Sequence, residues 1–122
     1  MAQKPDFANL IVESINFGIN NFELYCGAHT RSKKKIEPVA IDWKKLDDKQ
    51  KSDLVDLIFD HLCVVFGVKL LSKIKGYVST EVDAKLSFDK KETIKRALRI
   101  IALYEQSGIS SDRILIKIAS TW

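Results

Sequence analysis

The segment Tyr77-Val78-Ser79-Thr80-Glu81-Val82-Asp83, followed further along by Ile114-Leu115-Ile116-Lys117-Ile118, decides the fold class, because a helix-period segment lies between the two. In the first stretch Tyr77, Ser79, Glu81 and Asp83 alternate with Val78, Thr80 and Val82, so the spacing predicts a strand over 77–82 with one strongly polar face. Asp89, with Glu92 three residues on, approximates a capping box, and Ile94, Ala97, Leu98, Ile101 and Tyr104 recur at helical spacing after it. Gly108 supplies a C-terminal stop, and Ser110-Ser111-Asp112 turns the chain into the second run. That run is β-branched and predicts a strand buried on both sides except for one lysine. Strand, helix, strand with a crossover of this length calls for parallel neighbours in a right-handed βαβ unit, within a doubly wound sheet or a (β/α)8 barrel. Two strands are too few for either, and a full barrel takes roughly 250 residues, so 122 residues hold at most half of one.

Toward the N-terminus the pattern is helical. Asp47 or Asp48 can cap a long helix in which Leu54, Leu57, Ile58, Leu62, Val65 and Leu70 keep one face. Pro5 and Asp6 open another, with Phe7, Leu10, Ile11 and Ile15 as its apolar stripe and an end near Asn20 or Asn21. Between the two, periodicity fails. The run His29-Thr30-Arg31-Ser32-Lys33-Lys34-Lys35 ahead of Pro38 reads as basic loop, and residues 22–45 are expected to form an exposed basic loop inside a single domain spanning 1–122. No aromatic or glycine interleaving supports a nucleic-acid role for it, so a solvated loop is the expectation.

Composition narrows the classes. An apolar fraction of 46% with 30% charged residues is that of one ordinary globular domain with one core. No stretch approaches the roughly 18 consecutive apolar residues of a membrane span, and the start Met1-Ala2-Gln3-Lys4-Pro5-Asp6 lacks an apolar signal region, so a cytoplasmic location is expected. Cys26 and Cys63 have neither the count nor the spacing of a disulfide or zinc framework and read as reduced thiols in helix faces. His61 has no second ligand four residues on and reads as a hydrogen-bonded core or boundary residue, and His29 has less to recommend it, so no metal site is expected.

The chemically informative residues are Lys117 and Glu81. An ammonium in an otherwise aliphatic strand is either a snorkelling strand-end lysine or an amine whose burial disfavours its charged form and frees it to attack a ketone carbonyl. Strand pattern alone leaves these about even. Parallel neighbours lie about 4.8 Å apart, and Glu81 would share the polar-lined face near the C-terminal ends of the strands, so the two residues can meet. There Glu81 acts either as a proton relay through a water or as a structural salt bridge.

The stretches Val78-Ser79-Thr80-Glu81-Val82-Asp83-Ala84-Lys85-Leu86-Ser87-Phe88-Asp89 and Asp112-Arg113-Ile114-Leu115-Ile116-Lys117-Ile118-Ala119-Ser120-Thr121-Trp122 resemble two signature segments of transaldolases. The helix between them, with Ala102-Leu103-Tyr104-Glu105 and Ser107-Gly108-Ile109-Ser110, is similar too. The likeness is strong over 54–122, weaker over 5–21 and poor over 22–45. It implies an α/β chain that forms part of a (β/α)8 TIM barrel of the class I aldolase type. It also implies transfer of a dihydroxyacetone unit from sedoheptulose 7-phosphate to glyceraldehyde 3-phosphate, in the pentose-phosphate pathway, without metal or organic cofactor. By the same resemblance Lys117 is the Schiff-base residue, Glu81 its acid/base partner through a water, and Thr121 part of the substrate-binding wall. The implied partners are sugar phosphates, with neither nucleic acid nor membrane, and the complete enzyme is compatible with a homodimer. The family's first strand with its catalytic aspartate, its Thr-Thr-Asn-Pro-Ser strand and its phosphate-holding arginine have no match in these 122 residues. A chain of this length is therefore expected not to catalyse alone. The alternative expectation is a non-enzymatic truncated product or an interaction module that keeps half of the barrel.

Overall fold

In a computed structural model of the chain, residues 6–26, 40–119 and 121 are described. The elements are α1 (Phe7–Cys26), α2 (Asp48–Leu71), β1 (Val78–Glu81), α3 (Lys90–Gln106) and β2 (Ile114–Lys117), with single 3-10 turns at Trp43–Lys45, Ala84–Leu86 and Ser111–Arg113. The chain divides into two compact units, Met1–Leu62 and Cys63–Trp122. Among the described residues no helix is long and apolar enough to cross a membrane.

The first unit is built on α1 and the front of α2. Asp6 caps α1 by accepting from the Ala8 and Asn9 backbone N–H groups, and Asp47 and Gln50 cap α2 reciprocally, each side chain accepting from the other residue's N–H. The helix α1 runs past the expected end at Asn20 or Asn21 to Cys26, so 22–26 are helical rather than loop, and Phe22 is buried. Of the expected basic loop, residues 27–39, including the basic run, lie outside the described residues.

The face that α1 buries also differs from the apolar stripe. Phe7, Ile11 and Ile15 are exposed, while Leu10, Ser14, Gly18 and Phe22, spaced four apart, are buried. The reason is close approach. A side chain at Gly18 would begin 2.4 Å from Ile58 Cγ1, so only glycine admits α2 here. One turn earlier Ser14 presents its hydroxyl 2.9 Å from His61 Nδ1, and the imidazole stacks on Phe17 at 3.9 Å between ring centres. A small polar pair seated between helices outweighs the larger exposed side chains.

The second unit contains the expected βαβ order. β1 and β2 pair in parallel with Val78 opposite Ile114 and Glu81 opposite Lys117, and α3 makes the crossover. Asp89 caps α3 by accepting from Glu92 N–H. A Schellman turn ends it, with Gly108 at φ 80° donating to Glu105 and Ile109 donating to Tyr104. β1 alternates as expected, Val78 and Thr80 inward, Ser79 and Glu81 outward. β2 does not match the expected burial on both sides. Ile114 and Ile116 are half-buried and Leu115 and Lys117 exposed, because α3 covers one face of a two-stranded sheet and the described residues put no layer on the other.

Helix α3 likewise turns a different face inward. Ile94 and Leu98 are exposed, and Arg96, Ile100, Leu103 and Tyr104 are buried. Tyr104 belongs to both stripes and decides between them. Its phenol lies 2.6 Å from Thr80 Oγ1, giving each buried hydroxyl a partner, and burial raises the phenol's pKa while the Thr80 hydrogen bond opposes that shift. The ring rests against Gly67 of α2, where an added Cβ would lie 1.8 Å from the phenol oxygen.

Two outcomes follow from this packing. Alanine at an exposed helical glycine gains up to about 1 kcal/mol, but Gly67→Ala should instead lose roughly 1–3 kcal/mol by overpacking against Tyr104, and Tyr104→Phe a similar amount by leaving Thr80 unpaired, as read by urea denaturation. His61 has its pKa lowered below the ordinary 6.5, chiefly by burial and against an opposing pull from Glu13. The unfolded chain therefore binds more protons as pH falls below 6.5, so stability present above that pH is lost toward the lower folded-state pKa. Melting at pH 7.5 and 5.5 should show this loss, and His61→Gln should reduce it.

Candidate active site

Glu81 is the last residue of β1 and Lys117 the last of β2, which puts both at the C-terminal ends of adjacent parallel strands. The register makes them direct neighbours, and the ladder continues past them through a bond from Val82 N–H to the Lys117 carbonyl. Because side chains alternate across a strand, Glu81 leaves β1 on the face opposite Thr80. On the inner face, the hydrogen bond between Thr80 and Tyr104 holds β1 to α3.

Lys117 Nζ lies 3.7 Å from Glu81 Oε2, with 66% of the lysine side chain and 50% of the glutamate side chain exposed. Of the two readings that the strand pattern leaves open, a snorkelling strand-end lysine and a desolvated amine, the exposure of Lys117 in this chain is that of the first. The open face of the two-stranded sheet leaves both groups in contact with water. At 3.7 Å the pair is longer than the roughly 2.7–2.9 Å of a charge-assisted hydrogen bond, a separation at which a water can bridge.

Thr121, the third expected site residue, is exposed, and its hydroxyl donates to the Ser87 carbonyl. Beside it, Val82, Asp83, Ser87, Thr93, Ile118 and Ala119 line a shallow pocket with room for about one water. Asp83 caps the turn at Ala84–Leu86 and pairs loosely with Lys85. Glu81 and Lys117 do not line this pocket. Among the described residues, no group of three or more His, Cys, Asp or Glu side chains is placed to hold a metal ion.

Residues 29–122 match the family described as Transaldolase/Fructose-6-phosphate aldolase. The chain belongs to that family. The transaldolase of Rattus norvegicus is 43% identical over 121 residues, which is 99% of this chain and 28% of that protein. That of Kluyveromyces lactis is 51% identical over 88 residues, 72% of this chain and 26% of that protein. That of Prochlorococcus marinus (strain NATL2A) is 61% identical over 72 residues, 59% of this chain and 22% of that protein. The chain thus spans about a quarter of the length of these transaldolases. The family match takes in residues 29–45, which the sequence reading set apart as a poor fit.

Tyr104 and Thr80 support the site without having been singled out for it. In the helical pattern Tyr104 falls at an apolar position, yet a phenol on a buried helix face opposite a strand threonine carries a signal of its own, since both hydroxyls need partners.

Exposure sets the strength of the ion pair in this chain. A double-mutant cycle of Glu81→Gln and Lys117→Met should give a coupling of no more than about 1 kcal/mol that fades as salt is raised, measured by denaturant unfolding.

Proposed function

We propose that this chain carries the Schiff-base lysine and its acid/base partner in a transaldolase reaction, with the sheet of β1 and β2 forming part of a (β/α)8 barrel. The observation that carries the reading is the pairing of Glu81 with Lys117 at the C-terminal strand ends in a chain of this family, since that end of a barrel sheet is where catalytic groups collect. Lys117 Nζ attacks the ketone carbon of a ketose phosphate such as sedoheptulose 7-phosphate. The carbonyl oxygen is protonated as the carbinolamine forms and leaves as water when the iminium forms. Glu81 supplies and takes back these protons through a water, a role suited to a carboxylate 3.7 Å from the nitrogen. The C3–C4 bond of the iminium then breaks as the C4 hydroxyl gives up its proton, erythrose 4-phosphate leaves as the aldehyde, and the bonding electrons stay with the three-carbon dihydroxyacetone unit as an enamine on the lysine. That enamine forms a new C–C bond to the aldehyde carbon of glyceraldehyde 3-phosphate, whose oxygen takes up a proton, and water hydrolyses the resulting iminium to release the new ketose phosphate and free Lys117. Thr121 would contribute to the wall of the substrate site. The acceptor and donor phosphates require groups beyond the Glu81 and Lys117 pair, so the chain alone should not turn over.

The test is a chimera in which this chain replaces the matching segment of the rat transaldolase. With fructose 6-phosphate and borohydride, an adduct should appear on the Lys117 peptide, and Lys117→Arg should abolish it because a guanidinium does not deprotonate in proteins. An adduct on another lysine with Lys117 untouched would sink the assignment. Glu81→Gln in the same chimera should lower turnover by about 100-fold to 10,000-fold with a much smaller change in substrate binding, and unchanged turnover would return Glu81 to a structural ion pair.

A further inference from the structure

Arg113 stands immediately before β2, and its guanidinium reaches across to the chain that feeds β1. Nη2 donates to the carbonyls of Ile74 at 2.8 Å, Gly76 at 3.1 Å and Leu71 at 3.5 Å, and Nε donates to Gly76 at 3.3 Å. Leu71 is the last residue of α2, and Ile74 and Gly76 lie in the connection from α2 to β1. One side chain thus ties the entry of β2 to the entry of β1.

We propose that Arg113 is a positioning residue that sets the register of β1 against β2 and so holds Glu81 opposite Lys117, an inference that rests on the reading of that pair as the reacting groups. Backbone ladders are interchangeable between registers, so something other than the ladder must choose one. A slip of one residue is opposed by burial, since it would carry Leu115 and Lys117 to the covered side of Val78 and Thr80. A slip of two residues keeps every side chain on its face and meets no such penalty. It would set Lys117 opposite Ser79, or Leu115 opposite Glu81, and the pair would be lost.

The contact between Thr80 and Tyr104 does not by itself prevent this slip, because it joins β1 to α3 and includes no residue of β2. Arg113 does. A two-residue slip moves β2 by roughly 6.6 Å along β1, far beyond hydrogen-bond reach of the three carbonyls. Three of the four bonds are solvent-exposed and the fourth, to Leu71, is part-buried. What water cannot replace is the planar fork's fixed geometry. Loss of Arg113 should therefore weaken the native register against the slipped ones.

The experiment reads register directly by disulfide trapping in the chain with Cys26→Ser and Cys63→Ser. Ser79→Cys with Leu115→Cys reports the native register, whereas Glu81→Cys with Leu115→Cys and Ser79→Cys with Lys117→Cys report the two slips. Register partners about 4.8 Å apart fall within the 4.4–6.8 Å that a disulfide spans, and slipped partners fall outside it. With Arg113 present, the native pair should cross-link in preference to both slips. Arg113→Gln should narrow that preference about tenfold, the change expected for losing one charged hydrogen bond, and Arg113→Lys should restore part of it. A lowered melting temperature with the preference unchanged would overturn the proposal, as would a chain with Arg113 intact that showed no preference. If Arg113→Gln lost its cooperative melt, Arg113→Lys would decide by the same readout. Borohydride trapping in the chimera separates the two levels: no adduct on Lys117 with Arg113 intact defeats the catalytic reading and leaves the cross-linking result standing.

Discussion

The parallel pairing of β1 with β2 is the constraint on which the second unit depends. Two parallel strands cannot be joined by a hairpin, so the chain must return along a helix before the second strand can begin. That return makes α3 necessary and brings the two strands to the same end with the same polarity. Glu81 and Lys117 then become neighbours although the whole of α3 and its flanking turns lie between them in sequence. A meeting of this kind needs no attraction between the charges, and their half-exposed 3.7 Å geometry is that of two groups brought together by backbone rather than by each other.

What supports the pairing is polar and small rather than broadly apolar. Thr80 and Tyr104 satisfy one another beneath the sheet, and Gly67 leaves the space in which the ring lies. The same device recurs in the first unit, where Gly18 admits Ile58 and Ser14 meets His61. In both places a glycine lets backbone approach closely and a hydroxyl finds one specific partner. Buried polar pairs of this sort tolerate little displacement, so they define a geometry more sharply than leucine contacts do.

Membership of the transaldolase family gives the Glu81 and Lys117 pair a chemical context, and the structure explains why the context is reachable. Both groups project from the outward face of the sheet at the strand ends. The lysine side chain is two-thirds exposed, and the adjoining carboxylate stands 3.7 Å from its nitrogen.

The element order was legible in the sequence because period and caps are local: alternation over 78–82, the Asp89 cap, the Gly108 stop and the β-branched run each reflect neighbours along the chain. The meeting of Glu81 with Lys117 was legible for a related reason, since strand parity and parallel order together put both residues on one face. Which helix faces are buried was not legible. In α1 the large residues Phe7, Ile11 and Ile15 outweigh Ser14 and Gly18 in any hydrophobic count, and in α3 Ile94 and Leu98 outweigh Arg96. Helical spacing alone admits either stripe. Only the tertiary structure chose, because close approach at a glycine and the pairing of a buried hydroxyl depend on a residue of another element, and no pattern within one element encodes that partner.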